Sequence, residues 1–294
     1  MAWIARIVGI ALTLASLVFV GMKIFDSSGQ LAANFSNPRF LATLVVGVAV
    51  YALLGALIGY AWTILVRACD QEGQLSIREG MVIFFRSQIL KYLPSNVLHL
   101  VGRHGMARNA GVSHPALVFG VAAETGLLVI AASVIATTFA LPLVLVHGAD
   151  VLGKSSTALV VLTVLGIVVI GSLWWLRHEG LLRPRLGITS MAALGLYFCF
   201  FLANGGLLWA VATSLGHAPS TLPWFVFGVA TTAWLGGFVV PGAPAGIGVR
   251  EAILISGLGM AGWGPIALTA ALGYRVITLG GDVIVALVGF AARR

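Results

Sequence analysis

The sequence predicts an all-α membrane protein that crosses the bilayer several times. Of its 294 residues, 60% are hydrophobic and 9% are charged, and the mean hydropathy is +1.05. Soluble domains carry about 25% charged residues, so this composition argues against a soluble protein. The formal net charge is +8, but the basic residues stand singly or in small groups at the ends of apolar segments. That distribution is typical of loops that orient a membrane protein, and we expect no binding to nucleic acid.

Six apolar segments are predicted to be full transmembrane helices. A helix needs about 20 apolar residues to cross the hydrocarbon core, and these segments approach or exceed that length. The first is also compatible with a cleaved signal peptide, because Arg6 precedes a short apolar run. The predicted spans are 7–22, 40–66, 116–141, 157–176, 188–215 and 265–290.

Basic residues in the loops predict the orientation of the chain. The loops after the second, fourth and sixth spans contain Lys or Arg residues, whereas the loops after the first, third and fifth are poor in them. Cytoplasmic loops carry the excess of basic residues, so both termini are predicted to be cytoplasmic. The residues that set this orientation are Arg67, Arg78, Arg177, Arg183, Arg185, Arg293 and Arg294.

Two further apolar segments are each interrupted by proline. They are residues 77–103, with Pro94, and about 222–262, with Pro241. Non-helical backbone at membrane depth is tolerated only where protein buries it or where it lines a wet cavity. We therefore predict two re-entrant helical hairpins, each made of two half-helices.

The two interrupted segments suggest an internal repeat. Pro94 and Pro241 are separated by 241 − 94 = 147 positions, and adding 147 to the second and third spans gives 187–213 and 263–288, which overlap the fifth and sixth. We therefore predict one membrane domain, 1–294, made of repeats at about 1–147 and 148–294. Three full spans separate the interrupted segments, so the repeats have opposite orientation, as in several transporter folds.

The interrupted segments carry residues suited to binding an anion. Arg103 and Arg250 each follow a proline by nine positions. Helix N-termini favour anions, and arginine binds phosphate through two parallel hydrogen bonds. If the hairpin tips meet, the two features combine into a phosphate site within the membrane. Our predicted headgroup ligands are Arg103, Arg250, Lys91, Asn96 and Gly248.

Four other charged residues lie within apolar segments, where one charge at the centre costs about 2.5–3.5 kcal/mol on insertion scales. They are predicted to carry a coupling proton or to form internal ion pairs: Glu124, Glu251, Arg275 and Asp282. Two structural alternatives stay open, a pair between Glu124 and Arg275 and a pair of Arg250 with Glu251 or Asp282. No His, Cys, Asp and Glu spacing suits a metal, so no metal or cofactor is predicted.

Two stretches resemble the signatures of a known family. "QILKYLPSNVLHLVGR" (88–103) resembles the first signature of the lysylphosphatidylglycerol synthase transmembrane region family, whose members are also described as flippase-like domain proteins. "VVPGAPAGIGVREA" (239–252) resembles the second, a proline- and glycine-rich loop that ends in glycine-x-arginine-glutamate-alanine. Glu124 stands where the family often has an intramembrane glutamate, and Ser95 stands where it commonly has glycine.

The resemblance implies a lipid-translocating domain of the bacterial cytoplasmic membrane. The aminoacyl-transferase domain of the synthase is absent, which argues against lipid lysinylation, and we expect the chain not to be an enzyme. The expected function is a flippase or scramblase that moves an anionic headgroup, and the partner is a phospholipid or a polyprenyl-phosphate lipid. Two alternatives stay open: a secondary transporter of a small soluble anion, and a non-catalytic membrane subunit of an assembly that makes lipids or the cell envelope.

Overall fold

A computed structural model describes residues 17–70, 75–93, 98–146, 184–216, 224–240 and 244–292. All regular secondary structure within these ranges is helical. Residues 17–26 are helical. The longer elements are α1 (Ser28–Phe35), α2 (Pro38–Cys69), α3 (Ile77–Ser87), α4 (Leu98–Asn109), α5 (His114–Val146), α6 (Pro184–Ser214), α7 (Trp224–Val239), α8 (Val249–Leu258) and α9 (Gly264–Ala291). The shorter ones are 3-10 turns at Gln88–Tyr92 and Pro244–Gly246 and a π-helical turn at Gly259–Trp263.

Four of the predicted spans are confirmed as long apolar helices. Helices α2, α5, α6 and α9 are long and apolar enough to cross a membrane. They correspond to the predicted spans 40–66, 116–141, 188–215 and 265–290. The predicted span 157–176 lies outside the described residues, as does most of 7–22.

Small residues let the long helices approach closely. A Cβ atom added to Gly47 of α2 would lie 2.4 Å from Ile277 of α9, and one added to Gly55 would lie 2.9 Å from Val285. Apolar side chains gain little from leaving lipid for protein, so close backbone packing at small residues is a main source of helix association in a bilayer. These glycines fix α9 against α2, and α9 carries two of the charged residues of the site described below.

The first interrupted segment is broken where the sequence predicts. Helix α3 begins with a capping box, in which Ser76 accepts a hydrogen bond from the Glu79 amide and Glu79 accepts one from the Ser76 amide. The chain tightens into the 3-10 turn after Ser87 and becomes extended at Leu93, with ψ 154°. A residue before proline is forced out of the helical region, which explains the extended backbone. Residues 94–97, with Pro94 and Asn96, lie outside the described ranges.

The second interrupted segment is also broken. Helix α7 ends at Val239, and α8 begins at Val249 after a turn in which Ala245, Gly246 and Gly248 have φ of 49°, 71° and 84°. Positive φ is costly for a residue with a Cβ atom, so the two glycines are the residues that allow this turn. Pro241 lies outside the described residues.

The two halves of the chain interlock. Each interrupted segment packs against the last long helix of the other half, α3 against α9 and α7 against α5. The 3-10 turns of the two interrupted segments are in contact with each other. At an offset of 147, Ile77 maps to 224, where α7 begins, and Pro38 maps to 185, one residue after the start of α6. Leu98 and His114 map to 245 and 261, four and three residues before α8 and α9 begin.

Candidate functional site

A cavity lies where the two interrupted segments meet the long helices. Its volume is about 240 Å³, and both halves of the chain line it. This volume is below the about 300–1,000 Å³ that is typical of pockets for drug-sized ligands. The lining combines aromatic and aliphatic side chains with four cations, Lys91, Arg103, Arg250 and Arg275. The cavity therefore suits a small anionic group that is attached to, or lies beside, an apolar group.

Arg103 is held by a two-point ion pair with Glu124. Arg103 Nη1 and Nη2 donate to Glu124 Oε1 and Oε2 at 3.0 and 2.5 Å, and the two side chains are 2% and 5% exposed. The guanidinium carbon also lies 4.8 Å from the Trp62 ring and 4.9 Å from the Phe84 ring. A charge buried this deeply is tolerated because a carboxylate and two aromatic faces surround it.

Lys91 and Asp282 form a second pair, which joins the first interrupted segment to α9. Lys91 Nζ lies 2.6 Å from Asp282 Oδ2 and donates to Gln88 Oε1 at 3.1 Å. The Tyr92 hydroxyl donates to the same Asp282 oxygen at 2.5 Å. Lys91 is 23% exposed at its side chain and Asp282 5%, so this pair lies nearer to the surface than the Arg103 pair.

Arg275 and Glu251 form a third pair, which ties α9 to the second interrupted segment. Arg275 Nε lies 2.9 Å from Glu251 Oε1, and Arg275 Nη2 donates to the Ala245 carbonyl at 3.0 Å. The other carboxylate oxygen of Glu251 accepts the Gly248 amide at 2.6 Å. The carboxylate thus binds the start of α8, where the helix dipole favours a negative charge.

Arg250 has no such partner. Within the described residues it forms no ion pair, and its buried Nε has no hydrogen-bond partner. Its side chain lies across two glycines, since a Cβ on Gly237 would lie 2.5 Å from Arg250 Cγ and one on Gly246 would lie 2.7 Å from Arg250 Nε. The two glycines also approach each other closely, because the same Cβ on Gly246 would lie 2.7 Å from Gly237 Cα. Their backbone forms the floor of a slot for a guanidinium that has no ion-pair partner within the described residues.

Arg250 also borders a second, smaller space of about 20 Å³. The Tyr274 hydroxyl donates to Asn204 Oδ1 at 2.8 Å beside this space, and Tyr51 lines both spaces. A volume of this size is enough for one water molecule when polar partners surround it. The polar environment behind Arg250 is therefore suited to hydrating the inner side of its guanidinium.

The structure brings most of the sequence-predicted residues together. The cavity lining includes three predicted headgroup ligands and three predicted coupling or ion-pair residues: Lys91, Arg103, Arg250, Glu124, Arg275 and Asp282. Glu251 lies behind them as the partner of Arg275. Gly248 does not line the cavity, and its amide donates to Glu251. Asn96 lies outside the described residues.

The ion pairs differ from both structural alternatives. Glu124 binds Arg103 and not Arg275, and Arg250 is paired with neither Glu251 nor Asp282. Adjacent residues on a helix do not face each other, because successive side chains are about 100° apart. Glu251 therefore turns towards α9 while Arg250 turns towards α7 and the cavity.

Several residues of the cavity were not predicted. Gln88, Tyr92 and His99 line it from the first interrupted segment, and Gly237 and Trp234 line it from α7. Tyr92 stands beside Lys91 in the "KYLP" stretch. Its position two residues before Pro94 could therefore have predicted that it lies near the break. Gly237 could be identified only from the position of the Arg250 side chain, which is seen in the folded chain and not in the sequence.

Within the described ranges, no group of three or more His, Cys, Asp or Glu residues is placed to hold a metal ion. No protein-family model, curated protein or solved structure was found to match this chain.

Proposed function

We propose that the chain is a membrane transporter of the flippase or scramblase type, which moves an anionic lipid headgroup across a bacterial cytoplasmic membrane. The observation that carries the proposal is the unpaired Arg250 guanidinium at a cavity bounded by three ion pairs. The Arg250 side chain is half-buried and its Nε is fully buried, and a desolvated cation without a partner is costly. An anionic ligand offsets that cost, which explains why an arginine is held there.

The other charged side chains of the cavity support this assignment. Lys91, Arg103 and Arg275 each have a carboxylate partner. A ligand that bound them would have to compete with those carboxylates, whereas a ligand at Arg250 displaces none within the described residues. Arginine suits phosphate in particular, since its planar fork donates two parallel hydrogen bonds.

An inverted repeat provides the route for alternating access. The recurrence of helix starts at an interval near 147 and the exchange of interrupted segments between halves support such a repeat. In transporters of this architecture, one half rocks against the other around a site near the midplane. The two 3-10 turns are in contact, and residues of both line the cavity, which supports a joint between the halves at this site. The resemblance to the flippase-like family is consistent with the same proposal.

The carboxylates of the ion pairs are the candidates for proton coupling. Asp282 accepts hydrogen bonds from two groups of the first interrupted segment, Lys91 Nζ and the Tyr92 hydroxyl. Protonation of Asp282 would weaken both bonds and loosen the first interrupted segment from α9. Glu124 and Glu251 are alternatives for the same role.

Transport of a small soluble anion is the second candidate function. The cavity volume of about 240 Å³ is compatible with it, because this space fits a small anion as well as it fits a lipid headgroup. The two functions share the Arg250 site and differ in whether acyl chains stay in the bilayer during transport.

The proposal is tested with purified protein in liposomes that contain a trace of fluorescent phosphatidylglycerol. A membrane-impermeant quencher reports how much of the lipid is in the outer leaflet. We expect protein-dependent movement between leaflets, abolished in Arg250→Ala and retained in Arg39→Ala, which removes an exposed arginine outside the cavity. Full activity of a folded Arg250→Ala protein contradicts the site. No lipid movement, together with uptake of a radiolabelled soluble anion, supports the second candidate.

A further inference from the structure

The charged groups around the cavity do not balance. Four cations line it, Lys91, Arg103, Arg250 and Arg275, and the three carboxylates paired with them are Asp282, Glu124 and Glu251. The sum is 4 − 3 = +1 within the described residues. His99 also lines the cavity, and a histidine of ordinary pKa, about 6.5, is neutral above pH 7.5.

The imbalance defines the ligand charge that the site favours. An uncompensated charge in a low-dielectric environment is costly, so the site is most stable when the ligand brings one negative charge. A ligand with two negative charges would leave an excess of −1 and would be repelled by the nearby carboxylates Glu124 and Asp282. One charge is also what a single guanidinium neutralises through a two-point contact.

We propose that this site selects a singly charged phosphodiester over a doubly charged phosphomonoester. The inference rests on the proposed function and narrows its substrate class. The two non-bridging oxygens of a phosphodiester carry one charge between them and match the two-point geometry of Arg250. A terminal phosphate carries close to two charges at pH 8, because its second pKa is about 6.

The test is isothermal titration calorimetry at pH 8 with purified protein in a non-ionic detergent. The probes are dihexanoyl phosphatidylglycerol, a phosphodiester, and dihexanoyl phosphatidic acid, a phosphomonoester with the same chains. We expect the phosphodiester to bind at least tenfold more tightly. Glycerophosphoglycerol, which has the same headgroup without chains, distinguishes a lipid from a soluble phosphodiester. If it binds as tightly as the lipid, the charge selection is supported and the ligand is assigned to the soluble source.

Two variants that change the net charge of the cluster test whether charge is the cause of the selectivity. Asp282→Asn and Glu251→Gln each raise the net charge of the cluster to +2 and keep a side chain that can hydrogen bond. We expect both to shift the ratio of the two affinities at least tenfold towards the phosphomonoester. Since they remove carboxylates from different helices, the same shift in both identifies charge as the cause.

The failure of this inference can be told apart from the failure of the proposed function. Equal binding of the two lipids, or a preference for the phosphomonoester in the unchanged protein, overturns the charge selection. The proposed site would still be supported if Arg250→Ala lost both ligands. Failure of the folded protein to bind any anionic probe overturns the proposed function itself.

Discussion

Arg103 and Arg250 are a natural comparison within one chain. They are separated by 147 positions, each lies nine residues after a proline, and both line the same cavity. Arg103 is enclosed by the Glu124 carboxylate and two aromatic rings. At the same interval, Glu124 corresponds to Ala271 and Phe84 to Thr231, whereas Trp62 corresponds to Trp209. The second half therefore lacks the carboxylate and one of the two aromatic residues.

From this difference we infer that Arg103 has a structural role and propose that Arg250 is the arginine that binds ligand. A buried ion pair is strongly destabilised when one partner is removed, because the other charge is left unpaired. Arg250 is half-buried and has no ion-pair partner within the described residues, so its removal leaves no buried carboxylate unpaired there. We therefore expect changes around Arg103 to alter stability and changes around Arg250 to alter binding.

The largest effect is expected when Glu124 is replaced. Glu124→Ala leaves the Arg103 charge buried without its carboxylate, and we expect a loss of about 3–5 kcal/mol in the free energy of unfolding. The measurement is an unfolding titration in mixed micelles. Arg250→Met is the matched comparison, for which we expect no loss. Equal destabilisation of the two variants would remove the distinction between the arginines.

A smaller effect is expected when the slot that holds Arg250 is narrowed. A methyl group on Gly237 would lie 2.5 Å from Arg250 Cγ, so Gly237→Ala displaces the guanidinium while its charge is kept. We expect an approximately tenfold weaker affinity for phosphatidylglycerol, equivalent to about 1.4 kcal/mol. Gly206→Ala is the control, since no atom lies within 4 Å of its added Cβ. An unchanged affinity in Gly237→Ala would show that the position of Arg250 is not critical.

An effect of similar size is expected at the aromatic face beside Arg103. Phe84→Leu keeps an apolar side chain but removes the ring that lies 4.9 Å from the guanidinium carbon. We expect it to cost about 0.5–2 kcal/mol more than Phe40→Leu, which truncates a fully buried ring with no cation in contact. The same unfolding titration measures both. A cost no greater than that of Phe40→Leu would show that the cation–π contact contributes nothing.

Much of the fold was available from the sequence, but the pairing of charges was not. Long apolar runs and prolines predict the four long helices and both breaks, because helix length and proline chemistry are local properties. The spacing of nine residues from each proline also identified Arg103 and Arg250 as candidate site residues. The partner of each charge depends on how α5 and α9 are rotated against the interrupted segments. Glu124 therefore could not be assigned to Arg103, nor Glu251 to Arg275, before the helices were packed.

The glycine slot illustrates the same limit. Gly246 stands out in the sequence as part of a proline- and glycine-rich stretch, whereas Gly237 does not. Their shared role follows from the Arg250 side chain that lies across both, and that position is set by the contact between α7 and α8. Residues that position a ligand group through close backbone approach are visible only in the folded chain.

The most direct test compares phosphatidylglycerol binding by two proteins in which one arginine site has been made apolar. In the first, Arg103→Met and Glu124→Leu are combined, so that no buried charge is left unpaired. Replacing a buried ion pair with apolar residues of similar size is often neutral for stability. In the second, Arg250→Met is made alone. We predict that the first protein folds and binds the lipid with unchanged affinity, whereas the second folds and does not bind. Loss of binding in the folded double variant, with binding retained in Arg250→Met, would contradict the assignment of the two arginines.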